Sequence, residues 1–215
     1  MANREVLVPA GPVEVEGSLH VPDDAVGVVA FAHGTGSGRH SPRNRAVAAT
    51  LGAAALATLL IDLLTEAEER EDLRSGHLRF DIGLLAERLG GAGAWLQRQP
   101  DTAALGLGFF GASTGAAAAL VAAARSPQAV RAVVSRGGRP DLAGDALPEV
   151  RAPTLLIVGS LDEPVIGMNR EAMSRMSAPV ELRIVDGASH LFEEPGTMDQ
   201  VAALARDWFA KHLPG

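Results

Sequence analysis

Polar and apolar positions alternate along the first twenty residues. Arg4–Val8 and Val13–Val21 have the period of two expected for strands, and Pro9-Ala10-Gly11-Pro12 breaks them apart. This predicts an antiparallel hairpin. The pattern then changes. Val26–Ala32, Leu56–Ile61, Leu105–Phe110, Val130–Ser135, Thr154–Val158 and Val180–Val185 are short runs that read as strands, most of them apolar throughout. Such runs fit strands buried on both faces. Between them lie segments of helical character. These are Arg43–Ala54, Leu78–Gln97 (apolar at Leu78, Ile82, Leu85 and Leu89), the Ala-rich Thr114–Ala124, Arg170–Met176 and Met198–Leu213. The last carries Val201, Leu204, Ala205, Trp208 and Phe209 on one face, as a helix packed on a sheet does. Glu66–Asp72, mostly acidic, is expected to be a solvated loop or a helix end.

Buried strands alternating with helices predict an α/β fold, with a mostly parallel sheet covered on both faces. The 215 residues contain no repeat and no linker, so one domain spanning 1–215 is expected. Thr102–Ala124 holds no charge, which by length alone would suggest a membrane span. Gly106, Gly108, Gly111 and Gly115 make it weakly apolar, and a turn signal divides it, so a span is rejected. The N-terminal residues show no apolar run behind a basic start, so no signal peptide is expected and the expected location is cytoplasmic. The net charge of -7 argues against a nucleic-acid partner, which would need a basic footprint. The chain has no cysteine, which removes disulfides, thiolate metal sites and a Cys nucleophile.

In sheets of this kind ligands sit beyond the carboxyl ends of the strands. After Leu105–Phe110 comes Gly111-Ala112-Ser113-Thr114-Gly115, a G-x-S-x-G run between a strand and a helix. In that context the tight turn strains the serine backbone and presents its hydroxyl at the sheet edge. The Thr114 N–H, at the helix start, faces the same point and can hold an oxyanion. The bland alternative is a helix-capping serine in a Gly-rich turn. An overlapping G-x-G-x-x-G, Gly106–Gly111, lies largely inside the strand rather than after it, so nucleotide binding is not expected.

A serine hydroxyl needs a base. Of the two later histidines, His212 ends the last helix and is expected at the surface. His190 lies in the loop after the last strand, Asp186-Gly187-Ala188-Ser189-His190, and is the candidate base. Its orienting acid should follow the strand between, where Asp162 is favoured over Glu163, Asp186 and Asp141. After Val26–Ala32, the run His33-Gly34-Thr35-Gly36-Ser37-Gly38 offers a second oxyanion donor, the N–H of Thr35, with His33 bracing the loop. No His/Asp/Glu group has metal-ligand spacing, so no metal is assigned. Arg136 and Arg139 follow a strand on the same edge, and Arg39, His40 and Arg43 follow the Gly-rich loop. Arg136, Arg39 and His40 are candidate substrate-binding residues for an anionic group. The competing expectation is that these arginines brace loops or pair with the acidic stretch.

Together, His33-Gly34, the Gly111–Gly115 turn, Gly159 with Asp162, and Gly187 with His190 resemble the α/β-hydrolase superfamily. The small size resembles its dienelactone-hydrolase-like branch, with Ser113 standing where dienelactone hydrolases proper use Cys. The resemblance implies the α/β-hydrolase fold, an eight-stranded mostly parallel sheet, and no metal or organic cofactor. The short connection from Ser135 to Thr154 leaves no room for a large lid. Two functions stay open. One is a serine hydrolase of carboxylesterase type, acting on a small-molecule ester, lactone or thioester through an acyl-enzyme. The other is a non-catalytic binding or regulatory protein on the same scaffold. Neither a membrane nor a nucleic acid is an expected partner, and the oligomeric state is not legible.

Overall fold

The structure, a computed structural model, describes residues 4–214. β1 (Arg4–Ala10) and β2 (Val13–His20) form the expected antiparallel hairpin, in register from Arg4 opposite Leu19 to Ala10 opposite Val13. β3 (Gly27–Ala32), β4 (Leu56–Ile61), β5 (Gly106–Ala112), β6 (Val130–Arg136), β7 (Thr154–Gly159) and β8 (Val180–Val185) complete an eight-stranded sheet. Its order is β1-β2-β4-β3-β5-β6-β7-β8. β2 joins β4 antiparallel, and every later pairing is parallel. This is the α/β-hydrolase arrangement, and it has no large lid.

Among the described residues, α1 (Pro42–Gly52), α3 (Ile82–Leu96), α4 (Thr114–Arg125), α5 (Glu163–Arg175) and α6 (Thr197–His212) pack on the sheet, while α2 (Glu66–Ser75) stands off it, mostly exposed. One apolar layer lies under α3 and α4 and includes Leu89, Phe109 and Leu120. The other lies under α1 and α6 and includes Phe31, Phe110, Val134 and Phe209. Phe31 and Phe110 stack at 4.9 Å between ring centres across adjacent strands. Burying each such side chain stabilises the fold by about 1.5–3 kcal/mol. Ala116 to Ala119, all fully buried, let α4 sit close on the sheet beneath Ser113. The uncharged stretch 102–124 is thus β5, a turn and α4. Among the described residues no helix is long and apolar enough to cross a membrane.

Three segments differ from expectation. The acidic stretch is a full helix, α2, whose start is set by a capping box. The Thr65 hydroxyl accepts from the Glu68 N–H at 3.2 Å, and the Glu68 carboxylate accepts from the Thr65 N–H at 2.7 Å. Leu78–Gln97 splits into a short 3-10 turn and α3, because Asp81 accepts from the Leu84 N–H and restarts the helix. α5 begins at Glu163, well before Arg170, with Pro164 in its first turn, where a missing N–H costs nothing.

Candidate active site

The turn after β5 brings the site together. Ser113 stands at φ +50° and ψ -121°, a region that residues with a Cβ rarely enter. Three backbone bonds hold it there. Its N–H donates to the Arg136 carbonyl at 3.2 Å, and its own carbonyl accepts from Ala116 and Arg139, each at 3.1 Å. The flanking glycines are required by contact. A Cβ on Gly111 would meet the Gly115 carbonyl oxygen at 2.5 Å, and one on Gly115 would meet the His33 carbonyl oxygen at 2.5 Å. α4 therefore starts close to the loop after β3. The Thr35 and Thr114 hydroxyls hydrogen-bond to each other at 3.1 Å, so the two expected oxyanion loops touch.

That loop is fastened at both ends. His33 is buried, with Nδ1 donating to the Gly34 carbonyl at 3.0 Å and Nε2 accepting from the Leu63 N–H at 3.0 Å. This fixes one neutral tautomer. Burial holds its pKa below the ordinary 6.5, against the opposing pull of the Gly34 carbonyl and Asp62. The histidine thus braces the loop, as expected. At the loop's other end the Arg39 N–H donates to Asp62 at 2.7 Å.

After β8, His190 Nδ1 lies 2.6 Å from Asp162 Oδ2. Of the acids that were open, Asp162 alone meets the ring. Asp186 instead accepts from Ser160, and Asp141 takes a bidentate bond from Arg139. Glu163 is exposed in the first turn of α5. Asp162 is mostly buried (14% exposed) and the His190 ring is 39% exposed, so the acid is sheltered while the ring's far side stays open. A Cβ on Gly159 would meet the Ser189 carbonyl oxygen at 2.7 Å, so the Asp162 and His190 loops pack backbone to backbone. The segment 136–139 links ring and serine. Arg136 and Arg139 bond to the Ser113 backbone, while a Cβ on Gly137 would lie 3.7 Å from His190 Cε1. In the resting structure Ser113 Oγ makes no hydrogen bond to the ring among the described residues.

The candidate anion-binding residues separate. Arg39 is committed elsewhere. It pairs with Asp62, with Glu16 at 2.5 Å and with Glu5 at 3.5 Å, so its charge braces the loop against β2 and β4 rather than facing a substrate. This corrects its assignment as a substrate contact. Arg139 is likewise taken by Asp141. His40 is exposed on the rim of the cleft. Arg136 is buried, 7% exposed, with no ion-pair or hydrogen-bond partner for its guanidinium among the described residues.

Beside the loop after β3 opens a cleft of about 640 Å³. Its floor is the loop from His33 to Arg43 with Thr114, and its far wall is Glu69, Asp72 and Leu73 of α2 with Arg79. Arg79 donates to Asp72 at 2.5 Å, stitching that wall to the following turn. The acidic, mostly exposed sequence of α2 does not mark it as a cleft wall. Thr65 and Glu68, three apart, were the signal for a helix.

Residues 23–213 match the dienelactone hydrolase family. The chain belongs to that family. A dienelactone hydrolase from Anabaena variabilis, known as a crystal structure, is 59% identical over 99% of this chain and 98% of its own, with a TM-score of 0.97. Est1E from Butyrivibrio proteoclasticus shares the fold at 13% identity, with a TM-score of 0.79 over 96% of this chain and 98% of its own. A protein of Mycobacterium tuberculosis, provisionally named a phosphoribosyl transferase, is 58% identical over the whole chain. The chain spans about half the length of that relative, 48%. The family match and the 59% identical crystal structure agree on this membership and on the fold.

Proposed function

We propose that this chain is a serine hydrolase that cleaves small esters, lactones or thioesters through an acyl-enzyme. The observation that carries the reading is the 2.6 Å contact of His190 with Asp162, on the sheet edge that also holds the strained Ser113. Asp162 holds the proton on Nδ1, which leaves Nε2 free to take the Ser113 proton as its oxygen attacks the carbonyl carbon. The C–O or C–S bond then breaks, the leaving group takes that proton from His190, and Ser113 keeps the acyl group. Water, deprotonated by His190 in turn, releases the acid. The Thr35 and Thr114 amides stabilise the oxyanion in both halves, each such donor typically being worth about 10²–10³ in rate. Resting-state hydrogen bonds of this kind often close only around the substrate.

The transferase named for the mycobacterial relative is not carried over. That protein is twice as long, and the half matched here falls within a hydrolase family. We assign the transferase name to the half that this chain does not match. The test is labelling by a fluorophosphonate probe. Wild type should be labelled at Ser113 and S113A should not. Equal labelling of the two, or none in the wild type, leaves a binding protein on a hydrolase scaffold.

A further inference from the structure

Among the described residues, the His190 ring makes one hydrogen bond, to Asp162. Its other nitrogen must stay open to act as a base, so the backbone around it has to aim the ring. That backbone is held in an unusual way. Phe192, two residues on, stands at φ +56°, in the left-handed region that residues with a Cβ enter only under strain. Its N–H donates to the Ser189 carbonyl at 3.2 Å, closing a turn over His190, and its ring is buried. A Cβ on Gly137 would lie 3.0 Å from the His190 carbonyl oxygen and 3.4 Å from the Phe192 ring. The turn is therefore pressed against the segment after β6, whose Arg136 and Arg139 bond to the Ser113 backbone.

A strained turn needs a clamp, and Glu194 supplies it. Its carboxylate accepts from the Ser189 N–H at 3.1 Å, so both backbone groups of the residue before His190 are bound inside the loop. The Glu194 carbonyl accepts from the Thr197 hydroxyl at 2.8 Å and from the Thr197 N–H at 3.1 Å, at the start of α6. α6 is fastened to the core by Val201 and Phe209, both fully buried. One residue thus ties the loop of the imidazole to the core. Its neighbour Glu193 pairs with Arg43 at 3.4 Å, whereas the Glu194 carboxylate has no cation partner among the described residues. Ser189 holds the Glu194 pKa below the ordinary 4.5, through its side chain first and its backbone second. The group is therefore ionised at neutral pH, where a carboxylate is the stronger acceptor for an N–H.

We propose that Glu194 is a positioning residue for His190: by clamping the Ser189 N–H it keeps Phe192 in its strained conformation and the imidazole aimed from Asp162 toward Ser113. The proposal rests on the serine-hydrolase reading for the task of the ring. Without the acceptor, Phe192 relaxes and carries His190 away from Asp162.

Two readouts test this, turnover of 4-nitrophenyl butyrate and proton NMR of the Nδ1 proton shared by His190 and Asp162. That proton resonates far downfield of the amides and is assigned by its absence in H190Q. E194M keeps the length of the side chain without the acceptor, and E194Q keeps an acceptor oxygen without the charge. E194M should lower kcat by about tenfold or more with KM changed less than about twofold, since small misplacements of a reacting group are costly in rate. Its downfield resonance should vanish. E194Q should keep the resonance and at least about a third of the wild-type kcat. E194A, which adds no bulk, should repeat the E194M result and serves if the thioether does not fit. Melting curves of each variant establish that the samples are folded. Wild-type kcat and resonance in E194M or E194A would overturn the proposal. Equal losses in E194Q and E194M would overturn it too, by assigning the effect to charge rather than to the bond. So would a lower melting temperature with kcat and resonance unchanged, the mark of a merely structural residue. Failure of the hydrolase reading is separate, because the wild type would then show neither probe labelling nor turnover while the resonance still depended on residue 194.

Discussion

Ser113 holds a backbone conformation that its side chain resists, and two variants that both delete the hydroxyl separate that strain from catalysis. Ser113→Ala keeps a Cβ at φ +50°, while Ser113→Gly removes it. A non-glycine residue in such a region costs about 1–3 kcal/mol. Glycine is freer in the unfolded chain and returns about 0.4–1 kcal/mol of that gain. The net expectation is that S113G is more stable than S113A by about 0.5–2 kcal/mol. For a chain of this size that is a rise of about 1–8 °C in melting temperature, since 1 kcal/mol shifts it by roughly 2–4 °C. The Cβ removed also lies 3.0 Å from where a Cβ on Gly34 would stand, so its loss opens space and creates no clash. Differential scanning calorimetry of both proteins, with esterase assays showing both inactive, makes the comparison. Equal melting temperatures, or a more stable S113A, would show that the turn stores no strain in this residue.

Asp162→Asn should lower kcat by up to about 10⁴, the size of the analogous change in serine proteases, with little change in melting temperature. Steady-state kinetics beside a melting curve checks both halves. Gly115→Ala should destabilise the protein by more than about 3 kcal/mol, because the new methyl meets backbone carbonyls at Ala32 and His33 rather than a side chain that can turn away. Urea denaturation measures this, and a variant within 1 kcal/mol of wild type contradicts it. His33 gives a pH dependence. Its folded pKa lies below its unfolded value of 6.5, so the unfolded chain binds the proton more readily. Stability should be complete above pH 6.5, decline as the pH falls below that, and stop declining from this cause beneath the folded pKa. H33Q, with its amide oxygen accepting from Leu63, should flatten that part of the profile in urea titrations taken from pH 8 to 5.

The central strands were legible because strands buried on two faces admit almost nothing but apolar residues, and β1 and β2 because their polar and apolar positions alternate. Their order across the sheet was not, since nothing in Leu56–Ile61 marks it as lying between β2 and β3. The Gly111–Gly115 turn was legible because close packing at Gly111 and Gly115 leaves no choice of residue. Asp162 could be favoured over its rivals only by place, and the contact with His190 is a matter of three dimensions. The arginines illustrate the limit most clearly. Arg39, Arg136 and Arg139 look alike in the sequence. Whether each is spent on a neighbour depends on carboxylates as distant in the chain as Glu5 and Glu16, which the β1–β2 hairpin delivers to Arg39.

That delivery has a consequence for how the molecule can be trimmed. The family match begins at residue 23, after the hairpin has ended. Yet Glu5 and Glu16 hold the arginine that anchors the Thr35 loop, so two strands with no chemistry of their own act as a splint for it. A chain cut at the family boundary would retain Ser113, Asp162 and His190 and lose the two carboxylates that hold Arg39 beside the Thr35 loop. Such a fragment is expected to bind esters and turn them over poorly, even if it folds.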